Sequence, residues 1–220
     1  MTKVGRRMTE PKQVKMWSGQ FGREYTDRNA RSLEEIELRY KQRYGITRTE
    51  MNLRFIGDFD CSMKVLEVGS NVGNQLLRLQ KSGFQNLYGI ELQPYAVELS
   101  KSRTKAINIV QGSAFDIPFK DGFFGLVFTS GLLIHIAPKD IAKVLDEIYR
   151  STNQYIWCFE YYSDVYTPID YRGHNDLLWK ANFSKLFLER FRDLRLVKEE
   201  HYKYRENDNV DVMFLFRKKT

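Results

Sequence analysis

The chain has 220 residues, of which 42% are hydrophobic and 29% charged, and this is the composition of an ordinary globular protein with one domain. No apolar run approaches the roughly 20 residues of a membrane-spanning helix, and the basic N-terminus lacks the apolar segment of a signal peptide. The two cysteines, Cys61 and Cys158, disfavour a disulfide scaffold and a structural zinc site and favour a reducing, cytoplasmic location. The net charge of +7 is compatible with an anion-binding face or with a solvated surface, because the basic residues are interspersed with acids.

An amphipathic helical segment is predicted over residues 10–57, beginning near Pro11 and interrupted at Gly45 and Gly57. Strand and helix patterns alternate after it, which indicates a parallel sheet with helices on both faces. The predicted strands are residues 63–68, 86–91, 107–111, 123–129 and 154–161. The predicted helices are residues 73–82, 94–104, 138–150 and 176–190. The chain closes with two segments predicted to form an antiparallel hairpin, residues 194–204 and 210–217.

The most informative stretch is VLEVGSNVGNQLLRL, residues 65–79, in which an apolar strand runs into a glycine turn and then into a helix. The dinucleotide fingerprint GxGxxG is not present, because asparagines replace two of the required glycines. Asn71 nevertheless tolerates left-handed backbone, so Gly69-x-Asn71-x-Gly73 can form a comparable turn. The helix that follows would present its N–H groups to a carboxylate or a ribose. Glu67 would repel a pyrophosphate and therefore favours a ligand with positive charge.

Two further turns after predicted strands extend this pattern. Glu91 ends the second strand, 22 residues after Gly69, where an acid can accept hydrogen bonds from both hydroxyls of a ribose. The alternative for Glu91 is an acid that caps the next helix. The third turn, GSAF at residues 112–115, would let an adenine approach the backbone and stack on an aromatic ring. Asp116 is either a ligand contact or a turn residue.

As a set, Glu67-x-Gly69-x-x-x-Gly73, Glu91 and the turn at 112–115 resemble the cofactor motifs of class I S-adenosylmethionine-dependent methyltransferases. The chemistry agrees, since a sulfonium cation and an α-amino group favour acids and aromatic rings, and a methionine carboxylate favours helix N–H groups. The resemblance implies an α/β, Rossmann-like class I methyltransferase fold with a mostly parallel seven-stranded sheet, a C-terminal antiparallel hairpin and an N-terminal helical lid. The implied cofactor is S-adenosyl-L-methionine, and no metal is expected, because no ligand cluster is present.

A narrower resemblance extends over almost the whole chain. Five blocks are similar to the pseudaminic acid biosynthesis-associated methylase family, namely residues 16–29, 66–76, 127–136, 160–162 and 171–174. Members of that family are typically found among genes for bacterial surface-glycan assembly, and the family name reflects this association. The resemblance therefore implies methyl transfer and points to a sugar or sugar-acid derivative as the acceptor.

The resemblances divide a single domain, residues 1–220, into three parts. These are an N-terminal helical lid or extension (1–57), a cofactor-binding core (63–161), and an acceptor loop with the C-terminal hairpin (162–220). The residues assigned to the cofactor come from the first two parts. They are Trp17, Tyr25, Arg28, Asn29, Glu67, Gly69, Ser70, Asn71, Gly73, Glu91, Leu92, Ser113, Ala114, Phe115, Thr129 and Gly131.

The lid is predicted from an aromatic and polar run. Trp17, Phe21 and Tyr25 are spaced four residues apart on one helical face, which indicates either packing onto the core or a cover that excludes water from the cofactor. Arg28 and Asn29 at the end of this run could meet the methionine carboxylate or the acceptor.

The candidate catalytic residues follow the fourth and fifth predicted strands, and they are His174, Glu160, His135, Tyr171 and Arg172. Arg172 would pair with a carboxylate or phosphate, and Tyr171 would pack on a sugar ring. A hydroxyl acceptor would benefit from a base, for which His174, Glu160 and His135 are the alternatives, whereas an amine acceptor need only be neutral. Glu160 could instead form a strand-end ion pair, and His135 could be a buried structural histidine.

The functional hypothesis is methyl transfer to an O or N atom of a small polar acceptor that is anionic or sugar-like. One alternative is methylation of RNA or another nucleic acid, motivated by the basic charge, and another is methylation of a different natural-product amine or acid. Nucleic acid is disfavoured, because the chain has no recognisable RNA-binding module and no motif of the methylases that act on flipped bases. A non-catalytic nucleotide-sugar binding protein is argued against by the complete set of cofactor motifs. No membrane partner is expected, and the oligomeric state is left open.

Overall fold

The structure is a computed structural model that describes residues 11–219. Its strands are β1 (Lys64–Val68), β2 (Asn86–Glu91), β3 (Asn108–Gln111), β4 (Phe124–Ser130), β5 (Thr152–Tyr161), β6 (Thr167–Pro168), β7 (Trp179–Lys180), β8 (Leu194–Lys203) and β9 (Val210–Lys218). Its helices are α1 (Lys12–Ser18), α2 (Gln20–Asn29), α3 (Leu33–Tyr44), α4 (Arg48–Ile56), α5 (Asn74–Lys81), α6 (Pro94–Arg103), α7 (Ile141–Ser151) and α8 (Phe183–Arg190). A short 3₁₀ turn, Leu133–His135, follows β4.

Seven strands form one sheet in the order β3-β2-β1-β4-β5-β9-β8. The first five strands pair in parallel, whereas β9 pairs antiparallel with both β5 and β8. The strand order reverses at β1 and β4, and ligands of such sheets bind beyond the carboxyl ends of the strands at that point. The predicted fold class, a mostly parallel seven-stranded sheet closed by an antiparallel hairpin, is confirmed. The predicted strands match β1 to β5 within two residues at each end.

The core lies on both faces of this sheet. Leu66 and Val68 of β1 belong to one hydrophobic cluster, and Val65, the residue before Leu66, belongs to a second. This separation follows from the alternation of side chains along a strand. Helix α7 covers the first face with an apolar stripe that includes Val144 and Ile148, both fully buried. The carboxyl ends of β1 and β4 are thereby held on a rigid support.

The predicted helical segment at 10–57 forms four helices, α1 to α4, within the described part of the chain. Ser32 and Thr47 precede α3 and α4 and form capping boxes. The side chain of each accepts a hydrogen bond from the backbone N–H of the glutamate three residues later, and the side chain of that glutamate accepts from the backbone N–H of Ser32 or Thr47. The predicted start near Pro11 and the breaks at Gly45 and Gly57 are confirmed, and a further break at Gly19 separates α1 from α2. The first ten residues of the predicted lid lie outside the described residues.

The predicted helix at 176–190 is wrong in its first half. Leu177 and Leu178 are buried but not helical, and Trp179–Lys180 pairs with Thr167–Pro168 as a small second sheet. Helix α8 begins only at Phe183, where the Asn182 side chain accepts from a backbone N–H. The run of apolar residues fits a buried strand as well as a helix, because a short apolar run has no periodicity that separates the two.

None of the helices described in the structure is long and apolar enough to cross a membrane. Over residues 11–219, no three or more His, Cys, Asp and Glu side chains are grouped so that they could hold a metal ion.

Candidate active site

The glycine turn after β1 has the backbone that its sequence predicts. Gly69, Asn71 and Gly73 have φ angles of 77°, 46° and 81°, so Asn71 does occupy the left-handed region in place of a glycine. A Cβ atom on Gly69 would lie 2.8 Å from Leu132 Cδ1, and one on Gly73 would lie 2.8 Å from Ile109 Cδ1. Both positions favour glycine because of their positive φ angles, and an added Cβ would in addition force the end of a neighbouring side chain to shift. The turn leads directly into α5, as expected.

Glu91 at the end of β2 is tied to this turn. Its Oε2 atom accepts a hydrogen bond from the backbone N–H of Asn71 at 2.8 Å, and its Oε1 atom accepts from the N–H of Gln93 at 2.7 Å. Burial raises the pKa of Glu91, and the two N–H donors oppose this effect. Each carboxylate oxygen has a further lone pair, so Glu91 can still accept from a ligand hydroxyl.

Glu67, which the sequence assigns to a positively charged ligand, is buried beneath the turn. Burial raises its pKa well above the ordinary value, while the positive charges of Arg48 and Arg78 act in the opposite direction. These two buried arginines therefore supply positive charge near Glu67, which the sequence analysis had expected from a ligand. The Oε2 atom of Glu67 has no hydrogen-bond partner among the described residues.

These residues border a cavity of about 350 Å³ at the carboxyl ends of β1, β2 and β3. It brings together most of the residues that the sequence assigns to the cofactor. Those that line it are Trp17, Tyr25, Asn29, Glu67, Gly69, Ser70, Asn71, Glu91, Leu92, Ser113, Ala114, Phe115 and Gly131.

Three residues assigned to the cofactor lie outside this lining. Thr129 is buried in β4, where its Oγ1 donates to Glu160 at 2.7 Å. Gly73 caps α5 behind the turn. Arg28 projects from α2 without lining the cavity, and its Nη2 atom is buried without a described hydrogen-bond partner. Cofactor contact remains a prediction for all of the assigned residues, and these three lie outside the lining of the cavity.

Helices α1 and α2 cover the cavity, as the lid hypothesis expects. The Gln93 side chain donates to the carbonyl oxygens of Trp17 and Gly19, at 3.1 and 2.8 Å, and so holds the junction of the two helices over the loop after β2. Asn71 Nδ2 donates to Thr26 Oγ1 at 3.0 Å, which ties the glycine turn to α2. The lid is therefore docked onto the same loops that form the floor of the cavity.

His135 lies at the inner wall of the cavity, with its ring 4.4 Å from the Trp17 ring. Its Nδ1 atom lies 2.9 Å from the carbonyl oxygen of Leu177. Because a carbonyl oxygen only accepts, Nδ1 carries the proton and Nε2 is left as an acceptor. Burial lowers the pKa of His135 to about 4, so the ring is neutral at neutral pH.

A second cavity of about 170 Å³ adjoins the first, and we call it the acceptor chamber. Aromatic rings dominate its walls, which also include one buried acid and one arginine. It is lined by Tyr25, Tyr40, Arg43, Tyr44, Ser130, Gly131, Ile134, His135, Phe159, Tyr161, Tyr171, Leu178 and Asp211. Seven residues line both cavities and define the opening between them, namely Tyr25, Tyr40, Arg43, Tyr44, Ser130, Gly131 and His135.

The candidate catalytic residues are not all brought together. His135 and Tyr171 line the chamber, with their rings 5.8 Å apart. Arg172 and Gly173 form the tip of a two-residue turn with φ angles of 56° and 78°, and Arg172 is exposed. His174 lies edge-on to Phe21, with ring centres 5.6 Å apart. Arg172 and His174 are outside the lining of both cavities.

Glu160 occupies a different position from the one expected of a base. It is fully buried, its Oε1 accepts from Thr129 Oγ1 at 2.7 Å and from the Leu132 N–H at 3.2 Å, and its Oε2 accepts from the Ile134 N–H at 3.4 Å. Burial raises its pKa to about 7. The carboxyl group thereby fixes the loop that carries His135.

Several residues that line the chamber were not predicted from the sequence to belong to a site. They include Tyr40, Arg43 and Tyr44 of α3 and Asp211 of β9. The spacing of Tyr40 and Tyr44 by one helical turn was a usable signal for an aromatic face. Nothing in the sequence around Asp211 indicates its position, because its partner Tyr44 is 167 residues away in the chain.

Comparison with known proteins agrees with this geometry. Residues 66–155 match the methyltransferase domain family. An uncharacterized methyltransferase of Synechocystis sp. is 31% identical over 87 residues, covering 40% of this chain and 41% of that protein. The phosphoethanolamine N-methyltransferase of Plasmodium falciparum is 23% identical over 220 residues, covering 89% of this chain and 82% of that protein. The match to the first relative thus spans only about two fifths of its length.

Solved structures share the fold. The magnesium protoporphyrin IX methyltransferase of Synechocystis, solved with bound S-adenosylhomocysteine, superimposes with a TM-score of 0.68 at 11% identity, covering 94% of this chain and 98% of that one. The predictions of a methyltransferase and of S-adenosylmethionine as its cofactor are confirmed at the level of the matched domain. Residues 66–155 therefore match a methyltransferase domain, and the chain shares the fold of this solved methyltransferase.

Proposed function

We propose that the whole chain transfers a methyl group from S-adenosylmethionine to an O or N atom of a small polar acceptor. The observation that carries this proposal is the pair of cavities that open into each other beside His135. The first is built on the glycine turn and Glu91, and the second is a polar and aromatic chamber. Direct methyl transfer needs such an arrangement, because the acceptor must approach the methyl group in line with the bond that breaks.

The residues of the first cavity fit the cofactor. Ser70 Oγ, Glu67 Oε2 and Trp17 Nε1 are buried without a hydrogen-bond partner in the described structure, and all three residues line the cavity. Buried polar groups in native proteins are usually satisfied, so these atoms indicate a polar ligand. Glu91 would hold the ribose hydroxyls, and the turn at Gly69 would hold the methionine part.

S-adenosylmethionine supplies, when bound, a methyl group on a positively charged sulfur that a nucleophile displaces directly. The chain's own residues orient the acceptor and exclude water. Helices α1 and α2 close the cavity, and the rings of Trp17 and Tyr25 stand against His135. The Nε2 atom of neutral His135 is available to accept a proton from the acceptor. Glu160 acts through the loop that it fixes and is a positioning residue in this proposal.

The chemical class of the acceptor rests on two lines of support. The resemblance to the glycan-associated methylases favours a sugar or sugar-acid derivative, and the Plasmodium relative is named for an amine-bearing small molecule. Arg172, which was expected to pair with an acidic group, lies outside both cavities, whereas Arg43 lines both. An acidic group on the acceptor would therefore meet Arg43. A role in glycan assembly and a cytoplasmic location remain predictions.

The test is methyl incorporation from labelled S-adenosylmethionine into a panel of amino sugars, sugar acids, small amines and RNA. We expect saturable incorporation into at least one small molecule, none into RNA, and calorimetric binding of S-adenosylhomocysteine. Glu91→Ala serves as the control, since it should weaken the binding of S-adenosylhomocysteine and reduce methyl incorporation at low cofactor concentration. Failure of the wild-type chain to bind S-adenosylhomocysteine would overturn the proposal, and incorporation into RNA alone would replace the acceptor class.

A further inference from the structure

The wall of the acceptor chamber includes a buried acid. Asp211, the second residue of β9, is only 2% exposed, and it lines the chamber but not the first cavity. Its Oδ2 atom accepts hydrogen bonds from Tyr44 Oη at 2.5 Å and from Tyr204 Oη at 3.1 Å. Asp211 therefore belongs to the wall of the chamber and is hydrogen-bonded to Tyr44, which lines both cavities.

No positively charged side chain of residues 11–219 forms a salt bridge with Asp211. The nearest candidate on the chamber wall, Arg43, directs its Nε atom to Glu206 at 3.4 Å and lays its guanidinium group over the Tyr204 ring at 4.7 Å. Lys180 bonds to Asn209 instead. Both charges act on Asp211 from a distance, yet burial dominates and raises its pKa to about 6. A carboxylate taken out of water without a cationic partner is costly, and a bound cation would remove that cost.

The remaining walls favour the same kind of ligand. Tyr40 and Tyr44 lie 6.0 and 6.2 Å from Phe159, and Tyr161 is paired with Asp211 across β5 and β9. Aromatic faces attract cations electrostatically, and most strongly where water is excluded. The part of the chamber where these rings surround Asp211 is thus suited to an ammonium group, while Arg43 lines the chamber where it adjoins the first cavity.

We propose that Asp211 is the specificity-determining residue of the acceptor chamber and that it anchors a protonated amino group of the acceptor among Tyr44, Phe159 and Tyr161. The inference rests on the proposed methyl transfer and narrows its acceptor to small molecules that carry an amine, such as an amino sugar. It concerns recognition, and the anchored amine need not be the atom that receives the methyl group.

A purely structural role is the competing explanation, since Asp211 also ties Tyr44 of α3 to the sheet. Two variants separate the roles. Asp211→Asn removes the charge and keeps a side-chain oxygen that can accept from both tyrosines. Tyr204→Phe removes one of the hydrogen bonds to Asp211 and keeps the charge. Tyr204 lines neither cavity, which makes it a matched control.

The experiment is an NMR titration of the full chain, saturated with S-adenosylhomocysteine, with two matched pairs of probes. Glucosamine is compared with glucose, and ethanolamine with propan-1-ol, because the members of each pair are similar in size and differ in charge. We expect wild-type protein to prefer each ammonium probe by about 10-fold to 100-fold, in line with the strength of hydrogen bonds to charged groups. Asp211→Asn should abolish the preference, and Tyr204→Phe should keep it.

Three results would overturn the inference. They are equal binding of charged and neutral probes by the wild type, no binding of either ammonium probe, and an unchanged preference in Asp211→Asn. The wild-type comparison tests the inference even if a variant does not fold. Calorimetric binding of S-adenosylhomocysteine to the wild type reports separately on the proposed methyl transfer, so the failure of one proposal is distinguishable from the failure of the other.

Discussion

The two cavities of this protein are built in different ways. The floor of the first is formed by short runs that each follow a strand, at 69–71, 91–93 and 112–115, and helices α1 to α3 line most of the rest of it together with the loop after β4. The acceptor chamber draws on α2 and α3, on the loop after β4, on the ends of β5 and β9, and on the turn that carries Tyr171. The floor of the first cavity is therefore encoded in local sequence, whereas the acceptor chamber exists only after distant segments have packed together.

This difference explains what can be read from each region. A turn such as Gly69-x-Asn71-x-Gly73 is set by backbone preferences of its own residues, so a residue pattern reports its shape directly. The contact between Tyr44 and Asp211 joins residues 167 positions apart and is fixed by tertiary packing. Cofactor binding and acceptor binding can thus be carried by separate parts of one fold.

The first prediction concerns His135, at the opening between the cavities, and has the largest expected effect. Its pKa is lowered from 6.5 to about 4, so the unfolded chain binds more protons than the folded one between these values, and stability falls as pH falls through this window. Relative to His135→Gln, the wild type should lose about 3 kcal/mol of unfolding free energy between pH 7 and pH 4. Glu160 and Asp211 titrate in the opposite direction, but they are present in both proteins.

Urea unfolding of both proteins at several pH values provides the measurement. If the unfolding free energies of the wild type and of His135→Gln change in parallel with pH, His135 is not buried in the neutral form. The opening between the cavities would then be more accessible to solvent than the structure indicates.

The second prediction sharpens the role of the local motifs. Glu91→Ala should weaken binding of S-adenosylmethionine by about 1–3 kcal/mol, which is the cost of losing a charged hydrogen-bond acceptor. Asp116→Ala is the matched control, because Asp116 is exposed and lines neither cavity. Calorimetry on both variants is the measurement, and equal affinities would remove Glu91 from the cofactor site.

The third prediction concerns the lid. Gln93→Ala removes two hydrogen bonds that hold the junction of α1 and α2, at the carbonyl groups of Trp17 and Gly19. Cofactor affinity should fall by about 1 kcal/mol, with faster dissociation in stopped-flow fluorescence of the nearby Trp17. Tyr95→Phe, which removes an exposed bond to Asp27, should leave dissociation unchanged. If both variants behave as the wild type, the lid does not retain the cofactor.

The fourth prediction has the smallest expected effect and tests the limits of the acceptor chamber. Arg172 is exposed at the tip of its turn, so Arg172→Ala should change the acceptor KM by less than about twofold, as is usual for surface substitutions. Tyr171→Ala, which removes a ring from the chamber wall, should raise the KM. A large effect of Arg172→Ala would extend the acceptor site beyond the cavity seen in the structure.

The sequence was sufficient to predict the fold class, the positions of β1 to β5 and the three turns of the first cavity, because strand alternation and turn chemistry are local properties. It was insufficient at residues 176–182, where Leu177 and Trp179 are buried outside any helix because neighbouring elements cover them. Glu160 was assigned a place among possible bases, since its neighbours along the strand do not reveal that Thr129 and the loop after β4 occupy both of its oxygens. The missing information in both cases is tertiary.

The most direct test of the account is a crystal structure with S-adenosylhomocysteine. The account predicts ribose hydroxyls hydrogen-bonded to Glu91, the homocysteine part on the turn at Gly69–Gly73, and the sulfur directed towards the opening beside His135 and Gly131. A ligand bound elsewhere, or one whose sulfur faces away from the acceptor chamber, would contradict it.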